Sequence, residues 1–236
     1  MQALKFFNDA LLIAFTSDAS IDFTAVDFNA PLSAAQQKYL KDQTGQDFPR
    51  VFWRKQVHGD GVIHVGNMSF LEKCPDADAF ITNKPGIPIA IRTADCVPVF
   101  LFDPIKKVIG LAHAGWRGTK AQIAAKTAKT MQDKLGSKCY DLKVVLGSSI
   151  RSCCYEVGAE FKQHFPLDVK ERDGHLYADV IAANRRQLIE TGLQPEHITD
   201  SGICTHCHTG PKSFDYFSFR RDGEKAGRMI SLMMLK

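Results

Sequence analysis

Two histidines, a cysteine and an arginine carry the side chains of this chain best suited to chemistry: His58, Cys96, His113 and Arg117. Cys96 follows His58 by 38 residues and precedes His113 by 17, and Arg117 stands four residues beyond His113. One thiolate and two imidazoles form a ligand set suited to zinc. Three protein ligands also leave a fourth position open for water or substrate, as in catalytic sites. Spacing this wide does not by itself select metal binding, because a packed thiol and two hydrogen-bonding histidines leave the same pattern. Arg117, just ahead of an expected helix start, can hold phosphate or a developing oxyanion, or can be a structural arginine. Asp95, beside Cys96, can orient a ligand histidine, act as a base, or simply shape a turn. Gln56 offers an amide near His58, and Glu156 a carboxylate that acts near the site or caps a helix. A second thiol-rich segment runs from Cys204 through His206 and Cys207 to His208. It could take a second metal or be a reduced loop. Cys153 and Cys154 are adjacent and cannot easily bridge each other, and Cys154 reads as packed rather than reactive.

Strand ends and turns must position these groups. Residues 97–102 and 108–112 are apolar, strand-like runs. A Thr93-Ala94-Asp95 turn leads into the first, and Ala114-Gly115-Trp116-Arg117-Gly118 follows the second. Thiol, imidazole and guanidinium thus come from one strand-turn-strand-turn unit. Residues 51–57 read as a strand ending at His58-Gly59-Asp60-Gly61, with 62–65 as its partner. Upstream, residues 11–29 suggest one or two strands, and Ser33 to Gln36 fits a capping box for a short helix ended by Gly45. Residues 66–78 are loop-like, and 79–82 and 87–91 are strands separated by a Pro85-Gly86 turn. Pro88 and Pro98 belong at an edge, a strand start or a bulge, since proline cannot donate to a ladder. Downstream, Thr119 is expected to cap a helix over 120–135 stopped by Gly136, and Asp179 a helix over 180–191 stopped by Gly192. Residues 157–165 read as helical, and 142–147, 198–203, 214–219 and 228–235 as strands. The pattern predicts one α/β or α+β domain over 1–236, its sheets covered by a few helices.

The chain has 236 residues, 44% hydrophobic and 24% charged, an ordinary composition for a soluble globular protein. A formal charge of +4 without a lysine–arginine run gives no reason to expect a nucleic-acid partner. No apolar stretch approaches the ~20 residues of a membrane span, and the N-terminus does not resemble a signal peptide. Seven irregularly spaced cysteines then suggest free thiols or metal ligands in a cytoplasmic protein.

Several blocks carry a resemblance. They are Gln-Val-His-Gly at 56–59, Arg-Thr-Ala-Asp-Cys at 92–96, Ala-His-Ala-Gly-Trp-Arg-Gly at 112–118 and Cys-Tyr-Glu-Val-Gly at 154–158. The segments 179–188, 204–205 and 217–223 extend it. Together they resemble the multicopper polyphenol-oxidase, or laccase-domain, family, also called the purine nucleoside phosphorylase family. The resemblance covers about residues 50–236 and implies an α-β-β-α sandwich with mixed sheets. It implies zinc at His58, Cys96 and His113. The residue types themselves, apart from the resemblance, make Cys96, Asp95 and Arg117 the catalytic candidates and Gln56, Arg117 and Glu156 the candidate substrate contacts. The implied activity is phosphorolysis of adenosine, inosine, guanosine and methylthioadenosine, with deamination of adenosine, by a monomer or homodimer. The family's older label implies a copper-dependent phenol oxidase instead. A one-metal site lacks the electron storage for four-electron oxygen reduction, and the eight histidines include only one His-x-His pair. A hydrolase reading, with Cys96 as nucleophile and His113 as base, would match relatives that look like editing amidases of a peptidoglycan precursor. The first fifty residues diverge. Members usually open with Phe-Ser-Thr-Arg-x-Gly-Gly, whereas Asp18 stands here at the arginine position, a departure that bears on phosphate use. Gly147-Ser148-Ser149-Ile150 likewise replaces a Gly-Pro turn.

Overall fold

A computed structural model describes residues 4–24, 28–67, 69, 74–209 and 215–236 of the chain. Strands β1 (Leu4–Lys5) and β2 (Leu12–Thr16) precede helix α1 (Ala34–Thr44). Then come β3 (Val62–His64), β4 (Ala79–Thr82), β5 (Ile89–Thr93), β6 (Val97–Asp103) and β7 (Val108–Ala114), followed by α2 (Trp116–Lys120) and α3 (Ile123–Leu135). After β8 (Lys143–Leu146) come β9 (Glu156–Val157), the single turn α4 (Phe161–His164), β10 (Val169–Arg172) and β11 (His175–Ala178). Helix α5 (Val180–Glu190), β12 (Ile198–Asp200), α6 (Phe219–Asp222) and β13 (Met229–Leu235) complete the series.

The strands form a four-stranded antiparallel sheet ordered β1-β2-β13-β5 and a six-stranded mixed sheet ordered β12-β8-β6-β7-β4-β3, with a small β10-β11-β9 sheet beside them. In the mixed sheet the two edge pairs, β12–β8 and β3–β4, are parallel. Strands β2, β6, β7 and β13 are buried along their whole length, because both faces of each large sheet are covered. Between the sheets, Phe80, Phe100 and Leu111 pack against Ile89, Ile91 and Met233. Each such side chain contributes about 1.5–3 kcal/mol on burial. On the far face of the mixed sheet, Val99 and Leu101 meet Ile123 and Met131 of α3 and Leu188 of α5. On the outer face of the antiparallel sheet, Phe15 and Leu232 meet Leu40 of α1, Phe48 and Trp53. The layers are helix, sheet, sheet, helix: the expected α-β-β-α sandwich.

Several local expectations change. Residues 51–57 form no strand. Only Phe52 makes a bridge, to Ile89, and the Gln56 amide then pairs with the Arg92 backbone in both directions, at 2.8 Å each. A side-chain amide thus replaces a rung of the ladder. Thr119 does not cap a helix but lies buried inside α2, held by Asn184 and Gln187 of α5. Gly115 stands at the N-cap of α2, and Gln122, in the left-handed region at φ 62°, separates α2 from α3. The helix read over 157–165 shrinks to α4. The strand read over 214–219 is absent where described: Ser218 caps α6 by accepting from the Arg221 N–H, and residue 214 lies outside the described residues. The β10–β11 hairpin is additional, turning on Asp173-Gly174 at φ 52° and 78°. Pro88 precedes β5 and Pro98 is the second residue of β6, so both sit at strand starts. Gly147 is needed after β8, since a Cβ there would lie 2.7 Å from Cγ of Pro98.

Candidate metal centre

The site forms where the chain crosses from one sheet to the other. β5 belongs to the antiparallel sheet and β6 to the mixed one, so Ala94-Asp95-Cys96 spans the seam. Asp95 takes a left-handed φ of 89° at this crossing. Its carboxylate accepts from the Thr205 hydroxyl at 2.7 Å and the Arg220 backbone N–H at 2.6 Å, while its carbonyl accepts from Ile150. Both oxygens are therefore engaged in holding the turn that presents Cys96.

His113 arrives on buried β7, and His58 on an irregular turn at φ 58°. What joins them is Asp78, wholly buried just before β4. Its carboxylate accepts the backbone N–H groups of Val57, His58 and Gly59 at 3.1, 3.0 and 2.8 Å, and lies 2.8 Å from Nδ1 of His113. That contact commits Nδ1 and leaves Nε2 of His113 as the free ring nitrogen, the tautomer logic of carboxylate-supported metal ligands. Ligand atoms of His58, Cys96 and His113 come within 4.8 Å of one another. Gly115 leaves room for them, because a Cβ there would lie 3.0 Å from both Sγ of Cys96 and Cδ2 of His58.

The electrostatics suit a ligating thiolate. Burial pushes the Cys96 thiol up, but the His113 and His58 imidazoles outweigh it and hold the thiol down at about 6. Burial opposes charge on His113 as well, yet Cys96 and Asp78 raise it to about 9. Burial raises the Asp78 carboxyl, and His113 and the surrounding N–H groups bring it below its usual range. A thiolate with two imidazoles, one backed by a carboxylate, fits a zinc or copper ion.

Beside this cluster lies an open groove of about 570 Å³, lined among others by Trp116, Tyr155, Glu156, Phe161 and Arg220. Its volume falls within the ~300–1,000 Å³ typical of ligand sites. Burial and the charge of Cys96 push the Tyr155 phenol up to about 12. The exposed Arg117 lies over Trp116, its guanidinium carbon 4.3 Å from the ring centroid. Among the described residues no carboxylate pairs with it. Arg220 lies over Tyr155 and donates to the Glu156 carbonyl at 2.7 Å.

Other sequence candidates fall differently. Gln56 is occupied by the Arg92 backbone. The Glu156 carboxylate lines the groove and lies 2.7 Å from Nδ1 of His175, and it caps no helix, since α4 begins after Glu160. Asp18 is buried after β2, at the sheet end where β5 leaves for Cys96; its Oδ1 accepts from the Ser20 N–H. Cys204 and Cys207 are grouped not with His206 and His208 but with Cys153 and Cys154. Asp78, Trp116, Tyr155 and Arg220 were not singled out by sequence. Trp116, Tyr155 and Arg220 lie inside the matched blocks, whereas Asp78 has no signal beyond standing before a strand.

The family model for the multi-copper polyphenol oxidoreductase laccase matches residues 24–236. The chain belongs to this family. It is 31% identical over 226 residues to the purine nucleoside phosphorylase YlmD of Bacillus subtilis (strain 168), covering 85% of this chain and 76% of that protein. It is 39% identical over 160 residues to a purine nucleoside phosphorylase of Aquifex aeolicus, covering 68% of this chain and 72% of the relative. The crystal structure of the Bacillus licheniformis hypothetical protein YfiH superposes with a TM-score of 0.82 at 27% identity, over 100% of this chain and 97% of that one. Among the described residues, no helix of this family member is long and apolar enough to cross a membrane.

Proposed function

We propose that this chain is a metal-dependent purine nucleoside phosphorylase, acting on adenosine, inosine, guanosine and methylthioadenosine and also deaminating adenosine. The observation that carries the reading is the His58, Cys96 and His113 cluster, with a groove walled by aromatic rings and Arg220 next to the Gly115-Trp116 turn. The relatives, which are purine nucleoside phosphorylases by name, support it. His58, Cys96 and His113 would hold the ion, zinc by preference, which supplies Lewis-acid charge stabilisation when bound. Trp116 and Tyr155 offer faces for a purine base. Arg117, lacking a carboxylate partner among the described residues, is the group to hold phosphate against the ribose. Asp95, with both oxygens engaged, acts by positioning Cys96.

The test is metal analysis of protein purified without added metal, followed by inosine turnover with and without phosphate. At least one equivalent of zinc per chain and phosphate-dependent release of hypoxanthine are expected, and Arg117→Ala should raise KM for phosphate while leaving metal content unchanged. Zinc without nucleoside turnover would sink the proposal. The same chemistry supports a second reading, an amidase using Cys96 as nucleophile and His113 as base, because the thiol is already held down beside an imidazole. Turnover of a peptidoglycan-precursor amide, abolished in Cys96→Ala, would favour that reading. Stoichiometric copper with phenol oxidation would favour the oxidase.

A further inference from the structure

A second sulfur cluster takes no part in the centre built on His58, Cys96 and His113. All seven cysteines are free thiols. Four of them, Cys153, Cys154, Cys204 and Cys207, bring their sulfurs within 4.8 Å of one another, and Sγ of Cys153 lies 3.8 Å from Sγ of Cys207. Zinc–sulfur bonds of about 2.3 Å in a tetrahedron place neighbouring sulfurs about 3.8 Å apart. Cys204 follows Cys154 by 50 residues, so the fold and not local sequence assembles the four.

Backbone geometry holds the two turns together. Ser149 and Cys204 form a parallel bridge, with Ser149 N–H donating to Ile203 and Thr205 N–H to Ser149. The turn bearing Cys153 and Cys154 closes on the Arg151 carbonyl, which accepts from Cys154 and Tyr155 at 2.8 and 2.7 Å. Cys204 and Cys207 stand in a Cys-x-x-Cys turn, a spacing that presents two thiolates to one zinc ion.

We propose that Cys153, Cys154, Cys204 and Cys207 bind a second, structural zinc-type ion that ties the loop after β8 to the loop after β12. Thr205, within the Cys-x-x-Cys turn, donates to Asp95, so the ion braces the turn that presents Cys96. Cys153 and Cys207 are exposed, which gives the ion a route from solvent.

Metal content and cobalt spectra of the full chain test this without reference to nucleoside turnover. The wild type, metal-loaded under reductant and desalted, should hold about two equivalents, and Cys153→Ser/Cys207→Ser about one. Because that variant could lose metal by misfolding, Cys96→Ser, which leaves all four thiols, should be loaded with cobalt(II). It should show thiolate-to-cobalt charge-transfer absorption and the visible bands of a tetrahedral ion. A metal count unchanged by Cys153→Ser/Cys207→Ser, or a Cys96→Ser protein without those bands, overturns the proposal.

Discussion

Asp78 touches no substrate groove, yet three backbone N–H groups and one imidazole converge on its carboxylate. It sets both the His58 turn and the ring of His113, so its replacement should be felt at the metal before anywhere else. Asp78→Asn presents an amide N–H where a second acceptor oxygen is needed. Metal affinity, read by competition with a chelator, is expected to fall ~10–100-fold. An unchanged affinity would show that the imidazole is held by β7 alone. Asp200 gives a second residue-scale prediction. Burial raises its carboxyl, but Arg151, which donates to Oδ2 at 2.7 Å, brings it below the ordinary carboxylate range. A carboxyl lowered by folding stabilises fully above its unfolded value of about 3.9, and that stability is lost as pH falls through the folded value. Asp200→Asn should therefore lower the thermal midpoint at neutral pH, and the gap from wild type should close as pH is taken down to about 3. A gap independent of pH would contradict the assignment.

Between elements, the junction of α2 and α3 carries a correctable strain. Gln122 adopts a left-handed φ with no side-chain cap bond, a conformation glycine adopts more easily. Gln122→Gly should stabilise by about 0.5–1 kcal/mol and raise the thermal midpoint by ~1–3 °C in calorimetry. A lowered midpoint would mean that the side chain contributes more than the backbone loses. The same junction shows what was legible in sequence. Gly45 and Gly136, both left-handed, end α1 and α3 as read, and Asp179 caps α5 by accepting from Ala182. Thr119 misled because a hydroxyl that suits a cap also suits a buried hydrogen bond from Asn184, 65 residues away. Residues 51–57 misled because an apolar run has strand character whether its ladder is completed by backbone or by the Gln56 amide. The Asp173-Gly174 hairpin signal was present in the sequence. Asp78 was not legible at all, since its role exists only once β4, β7 and the His58 turn are adjacent.

At the scale of the whole molecule, the matched blocks held the three candidate ligands, but not the reason they meet. Cys96 stands on the only short link described between β5 and β6, one strand in each sheet, while His113 belongs wholly to the mixed sheet. The cluster is therefore a gauge of alignment: sliding one sheet over the other strains the Ala94-Asp95 link, and through it the sulfur that stands at the start of β6 opposite His113 on β7. Packing in the seam becomes a remote control on the ion. Trimming Ile91 or Met233, which lie between the sheets, should shift metal affinity more than trimming Leu40 or Phe48 on the outer face. Chelator competition on the four variants measures the contrast, and equal effects would show that the crossing is rigid on its own. If the seam tunes the site, substitutions deep in the sandwich can adjust its chemistry without altering a single residue that lines the groove.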